Sequence, residues 1–386
     1  TEVGTYVGNT LNITNDDLQN QYAAVDSECG NLCARCEEEQ DEEEMIYTEG
    51  DIILAGVFDV HEAGSSLFTC GDINTDHGYQ LMEAFNYAID YVNRKQGVFS
   101  NMLKDITLGS LVLDACKSPT RAGNLVANVH AKVLTAQDGS IATDAIMAYI
   151  GAYDSDSSKQ MAGVLSGLDI PQISYGSISA QLQDTDEYPY FLRTVPGDQV
   201  QANGMVALLR RYDINYIQLI HSPDTYGEGA ADTFLQTAEA KGICVAQTIS
   251  FDEADRITNE MANRVVSKMV EKPNASFAVV YLSTEYIHPF LEAVNSNAQA
   301  KGKFIFIGSE AWEKREDVVD GVESAAFGSV TFGVETSDIT AFDDFLSKNV
   351  PGQTTDNGWY DEYYQELLQC SLQSGNPDFP RVCDSS

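Results

Sequence analysis

The chain has 386 residues, too many for one simple core, and about 150 residues per domain suggests two or three. Apolar residues make up 43% and aromatics 10%, enough for sizeable cores, which excludes a wholly disordered chain. The net charge of −37 argues against binding a nucleic-acid backbone or an anionic membrane surface.

Residues 1–50 hold 13 acids and one Arg and show no sustained periodicity, so an acidic, disordered extension is expected there. They lack a basic-then-apolar leader, which points to a removed signal or a fragment. Cys29, Cys33 and Cys36 have a C-x3-C-x2-C spacing that suits a metal, but no second Cys or His pair lies nearby. A disulfide or reactive thiols in a flexible arm are the expected reading, with no metal and no cofactor. The acid run 37–44 reads as a solvated tail. Two sequons, at Asn12 and Asn274, suit a secreted glycoprotein.

From Asp51 the pattern changes. Residues 52–60 form an apolar run suited to a buried strand, and 78–95 set Leu81, Met82, Phe85, Ala88, Ile89 and Val92 on one helical face. Strands are expected at 106–113 and 145–151, with a helix at 121–135 between them. Further strands are expected at 216–221, 243–250, 277–282 and 304–308, and helices at 226–241, 258–271 and 285–298. Alternation at this spacing predicts an α/β fold of parallel sheets flanked by helices, in two lobes. Val195-Pro196-Gly197 marks one crossing between lobes, and 325–328 a second. The expected organisation is lobe one over 51–198, lobe two over 199–328 and a return to lobe one over 329–386.

In open parallel sheets, ligands sit at the carboxyl ends of strands. After the third strand, Ser155 either caps a helix or joins its exposed amides in binding a small anion. Asp198, at the first crossing, either caps its helix or pairs with a ligand ammonium. Tyr226 is either core or stacks on a cation. Glu310, after the last strand, adds a second acid. No G-x-S-x-G, triad order or zinc-histidine spacing is present, so nothing supports an enzyme.

The chain also resembles a family. Gly78-Tyr79-Gln80-Leu81-Met82-Glu83-Ala84-Phe85, Asp114-Ala115-Cys116, Asp169-Ile170-Pro171-Gln172-Ile173-Ser174-Tyr175, Phe191-Leu192-Arg193-Thr194-Val195-Pro196-Gly197-Asp198 and Ile307-Gly308-Ser309-Glu310-Ala311-Trp312 look like the Venus-flytrap ectodomain of class C G-protein-coupled receptors. The likeness is greatest to metabotropic glutamate receptors and runs over about 50–386. It implies a two-lobed, periplasmic-binding-protein-like fold, with lobe one incomplete at its C-terminus. It also implies disulfides Cys70–Cys116 and Cys370–Cys383, and a cysteine, Cys244, that is free here.

The resemblance further implies that Ser155 takes the ligand carboxylate, Asp198 the ammonium, and Tyr226 lies over it. Glu310 stands where the family has Asp. Gly176 and Ile178 stand where the family has ligand-contacting hydroxyls. Leu81 and His77 replace an Arg and a Tyr, and Ser283 and Thr284 replace an acid-glycine pair. The implied protein is an extracellular sensor of an amino acid or amine. It closes its lobes on the ligand and signals through a G protein by way of a membrane domain outside these residues. A soluble binding protein or non-signalling decoy is the alternative, and secretion its location.

Glutamate is not the expected ligand, because Leu81 removes the cation that would meet its side chain. His77 is a poor substitute and Arg315 is expected to engage Glu310. A homodimer through lobe one is expected, with Ala122, Leu125, Val126, Val129, Ala131, Val133 and Leu134 of helix 121–135 as a candidate face; the same face could instead pack on its own sheet.

Overall fold

The computed structural model of the chain describes residues 4–7, 10–13, 45–66, 69–95, 99–100, 103–134, 141–252, 257–335, 337–353, 358–373 and 379–383. Cys29, Cys33, Cys36 and the acid run 37–44 lie outside these residues, as does the side chain of Asn12. Strands β1 (Gly4–Val7) and β2 (Thr10–Ile13) pair antiparallel. The expected extension is corrected at its end. Met45–Thr48 forms strand β3, which pairs antiparallel with β7 (Leu108–Asp114) at the sheet edge. Its four residues were too few to show a period.

The first sheet is built on β4 (Ile52–Phe58). A short antiparallel ribbon follows, β5 (His61–Ala63) with β6 (Cys70–Ile73). The sheet then adds β7, β8 (Ile146–Ile150), β9 (Gln172–Ser174) and β10 (Phe191–Arg193), in the order β10-β9-β8-β4-β7-β3. All pairs but β3–β7 are parallel. Parallel strands need covering on both faces, which explains the near-continuous apolar runs. Ile53, Ala55, Val57, Leu111 and Leu113 point to one face, against α2 (Pro119–His130) and α3 (Ser155–Ser166). Phe58, Leu108 and Val112 point to the other, against α1 (Gly78–Asn93).

This packing settles the alternative left open for helix 121–135. Ala122, Leu125, Val126 and Val129 are buried in their own lobe's core, and of the proposed dimer face only Val133 is a large exposed apolar residue. The helix also ends at His130, five residues short of the expected end.

The second sheet comprises β11 (Tyr216–His221), β12 (Cys244–Ser250), β13 (Phe277–Tyr281), β14 (Ile305–Gly308) and β15 (Val330–Thr331), ordered β12-β11-β13-β14-β15 and wholly parallel. Strand alternation divides its two cores. Ile217, Leu219, Val279, Tyr281 and Ile307 meet α4 (Asp198–Arg211) and α5 (Thr225–Ala240). Ile220, Ile249, Ala278, Val280 and Phe306 meet α6 (Asn259–Met269) and α7 (Thr284–Ser296). The short α8 (Glu323–Ala326) precedes β15. The second crossing therefore lies after Thr331 rather than at 325–328, since β15 still belongs to this sheet.

Two helices missed in the sequence carry the chain back to the first lobe. Phe342 and Phe345 of α9 (Thr340–Leu346) pack on Tyr87 of α1, with ring centroids 5.8 and 5.3 Å away. Tyr363 of α10 (Gly358–Leu368) stacks on Tyr79 at 4.4 Å. Disulfides join Cys70 to Cys116 and Cys370 to Cys383, as expected, and Cys244 is free and exposed. The whole is a two-lobed, periplasmic-binding-protein-like α/β fold.

Beneath α1 lies an apolar cavity of 360 Å³, lined by Leu54, Phe58, Leu81, Phe85, Ile150 and Tyr175 among others. Its lining residues all belong to the first lobe.

Candidate ligand-binding cleft

The carboxyl ends of both sheets face one another across the crossings. Asp198 begins α4 immediately after the first crossing. It is not the cap, because Gly197 occupies that position; it sits in the first turn, where the helix dipole favours an acid. Asp198 is fully buried. Its Oδ2 accepts the Ala180 amide at 2.8 Å, while its Oδ1 has no hydrogen-bond partner. Burial pushes its carboxyl up to about 7, and the neighbouring Glu310 adds to the rise.

Around it lie further buried polar atoms without partners of good geometry: the hydroxyls of Tyr226 and Tyr281 and the Oγ of Ser309. Tyr226, from the first turn of α5, lies beside Ser309 and Glu310. Glu310 receives a hydrogen bond from Gln201 Nε2. Burial also holds the Glu310 carboxyl above its usual range, although the Gln201 bond opposes that. Native proteins rarely leave a buried carboxylate oxygen such as Asp198 Oδ1 unpaired, and it lies here among several other polar groups. Of the residues gathered here, sequence reading singles out Asp198, Tyr226 and Glu310, but not Gln201, Tyr281 or Ser309. Tyr281 ends β13 and Ser309 follows β14, so the strand-end rule applied to both; nothing in the sequence singled out Gln201.

On the lobe-one side, Asp154 caps α3 and accepts the Ser157 amide at 2.7 Å. Ser155 is the first helical residue, and its Oγ accepts the Ser179 amide at 3.4 Å. Two bonds cross to lobe two. The Asp156 carboxylate accepts the Thr225 amide at 3.2 and 3.3 Å, and Ser179 Oγ donates to the Thr225 carbonyl at 3.1 Å. A Cβ at Gly229 of α5 would come within 2.6 Å of Ser179 Oγ, so only glycine allows this approach without a shift. Gly176 is constrained too: a Cβ there would lie 2.6 Å from the Tyr153 carbonyl oxygen, which excludes a serine in this geometry. Ile178 is buried and contributes its carbonyl, which accepts the Asp198 amide at 3.0 Å.

At the rim, Arg315 of lobe two reaches lobe one. It donates to Asp317 at 2.6 Å, to Asp76 at 3.3 Å and to His77 Nε2 at 3.1 Å. The expected Arg315–Glu310 pairing is corrected: Asp317, two residues on, is the nearer acid. Burial and the Arg315 charge lower the His77 pKa, keeping the ring a neutral acceptor. Ser283 donates to Asp224, and Thr284 to the Ala311 carbonyl at 3.3 Å, so both serve lobe-two structure. Leu81 is separate from this group and faces the apolar cavity. Asn274 is exposed, as a glycan acceptor must be. Among the described residues, the one Cys/Asp/His/Glu group close enough for a metal is Cys70, Asp114 and Cys116, whose sulfurs are joined as a disulfide.

The family model described as the receptor family ligand binding region matches residues 80–372. The chain belongs to that family, whose domains bind ligands on the extracellular side. No described helix is long and apolar enough to cross a membrane.

Proposed function

We propose that this member of the receptor ligand-binding family captures a small primary amine or amino acid between its lobes, with the ammonium held by Asp198 and Glu310. The observation that carries this reading is the buried Asp198 Oδ1, unpartnered and beside a second acid, the half-buried Glu310. An ionised carboxylate there is costly until a cation meets it, and an ammonium supplies both charge and three donors. Tyr226 offers a ring face for the same cation.

A guest at this point touches the crossing through Asp198 and lobe two through Tyr226 and Glu310, with Ser155 of lobe one nearby. It therefore favours the arrangement in which all are close, and closure is the signal. The likeness to metabotropic glutamate receptors supports an extracellular or secreted location, a homodimer through lobe one and coupling to a G protein by a membrane domain outside these residues. Glutamate itself is disfavoured, because Arg315, the cation at the rim, is already shared between Asp317 and Asp76.

Calorimetric titration of the standard amino acids and common primary amines tests this. At least one should bind, and Asp198→Asn should weaken it by roughly 100-fold. Equal binding by the variant overturns the assignment.

A further inference from the structure

We infer that Asp156 reserves the anion position between the lobes for the protein's own carboxylate, so that the cleft selects amines that lack a carboxylate over the corresponding α-amino acids. This rests on the amine-binding reading above and narrows it.

Three helix N-termini converge on the cleft, those of α3, α4 and α5. Such ends attract anions, and a ligand carboxylate would seek them. Each already holds an acid from the chain. At α3, Asp154 Oδ1 takes the Ser157 amide at 2.7 Å. At α4, Asp198 stands in the first turn. At α5, Asp224 Oδ1 takes the Gly227 amide at 2.6 Å, and Asp156 reaches from the opposite lobe to take the Thr225 amide.

The Asp156 contact is the informative one. An acid capping a helix of its own lobe is ordinary local structure. Asp156 instead satisfies a donor on the other lobe, which becomes available to it only when the two approach. A bridging ligand carboxylate would occupy this same position, and here the chain supplies the group itself. Ser155 Oγ is likewise engaged, by the Ser179 amide.

The nearby cations do not restore an anion site. Arg193 is held by the carbonyls of Ser177 and Ser179 at 3.3 and 3.0 Å. Lys117 pairs with Glu62 at 2.6 Å, and Arg315 with Asp317 and Asp76. A guest carboxylate would face Asp154, Asp156 and Asp224, and the ammonium of Lys159 on the same helix as Asp156 is held by Gln181 Oε1 at 2.8 Å. A guest ammonium, by contrast, finds the unpartnered Asp198 Oδ1.

The test compares pairs that differ by one carboxylate: tyramine with tyrosine, histamine with histidine, cadaverine with lysine and agmatine with arginine. Calorimetry on the full chain should show the decarboxylated member of any binding pair to be tighter by about tenfold or more. Asp156→Asn should shrink that ratio mainly by improving the amino acid, and Asp198→Asn should weaken both members. Amino acids binding as well as their amines, or a ratio unmoved by Asp156→Asn, overturns the inference while leaving the amine site standing. Affinities indifferent to Asp198→Asn, or no binding by any of the eight compounds, overturns the underlying reading as well.

Discussion

Arg315 Nη1 in lobe two lies 3.1 Å from His77 Nε2 in lobe one, and Nη2 of the same side chain lies 3.3 Å from Asp76. One side chain thus joins the N-cap of α1 and the residue before it to the loop after β14 across the cleft rim. Asp76 is largely exposed, so the ion pair is partly screened, and about 1 kcal/mol is the appropriate scale. Arg315→Ala should shift the lobes toward opening. Small-angle scattering should record a larger radius of gyration, and ligand affinity should fall by roughly fivefold. Unchanged scattering would remove Arg315 from any role in closure.

Ligand binding should release protons below neutrality. Asp198 is raised to about 7 by burial, so in the free protein near pH 6 it is mostly protonated, whereas an ammonium requires it ionised. Calorimetry in buffers of different ionisation enthalpy should show release approaching one proton at pH 6 and little at pH 8. Asp198→Asn should abolish the release. The same shift bears on stability. The folded state binds more protons than the unfolded state between about pH 4 and pH 7, so Asp198 makes the free protein less stable as pH rises through that window.

His61 ties the returning chain to lobe one. Its Nδ1 bonds the buried Asp114 carboxylate, and its Nε2 lies 3.3 Å from Glu362 of α10. Burial opposes a charge on the ring, but the bonds to Asp114 and Glu362 prevail and raise it to about 9. A histidine raised above its unfolded value contributes fully below about pH 6.5, and that contribution is lost as pH rises through about 9. Thermal unfolding should therefore show a fall in stability between pH 7 and pH 10. His61→Gln should cost roughly 2 kcal/mol at pH 7 and flatten that fall. A variant with the wild-type pH profile would assign the fall to other groups.

The fold was legible where apolar runs were long. Residues 216–221 were read as a strand to the residue, and α1 to within two residues of its end, because buried parallel strands and an amphipathic helix announce themselves by period. Short pieces were not. β3, β10 and β15 have two to four residues, and their place is set by pairing partners distant in sequence. The strand-end rule and the family resemblance led to Asp198, Tyr226 and Glu310, but the rule is silent about what an acid faces. Arg315 was paired with the wrong partner because a contact across two lobes leaves no local signal. Leu81 was placed in the site by the resemblance, whereas in the structure it lines the apolar cavity.

The most direct test of the account is a crystal structure of the protein with the tightest-binding compound of the amine panel. The account predicts its ammonium nitrogen about 2.8 Å from Asp198 Oδ1, with Glu310 and Tyr226 around it and both lobes in contact. A ligand seated instead in the apolar cavity beneath α1, or a cleft with Asp198 Oδ1 still unpartnered beside the bound compound, would contradict it.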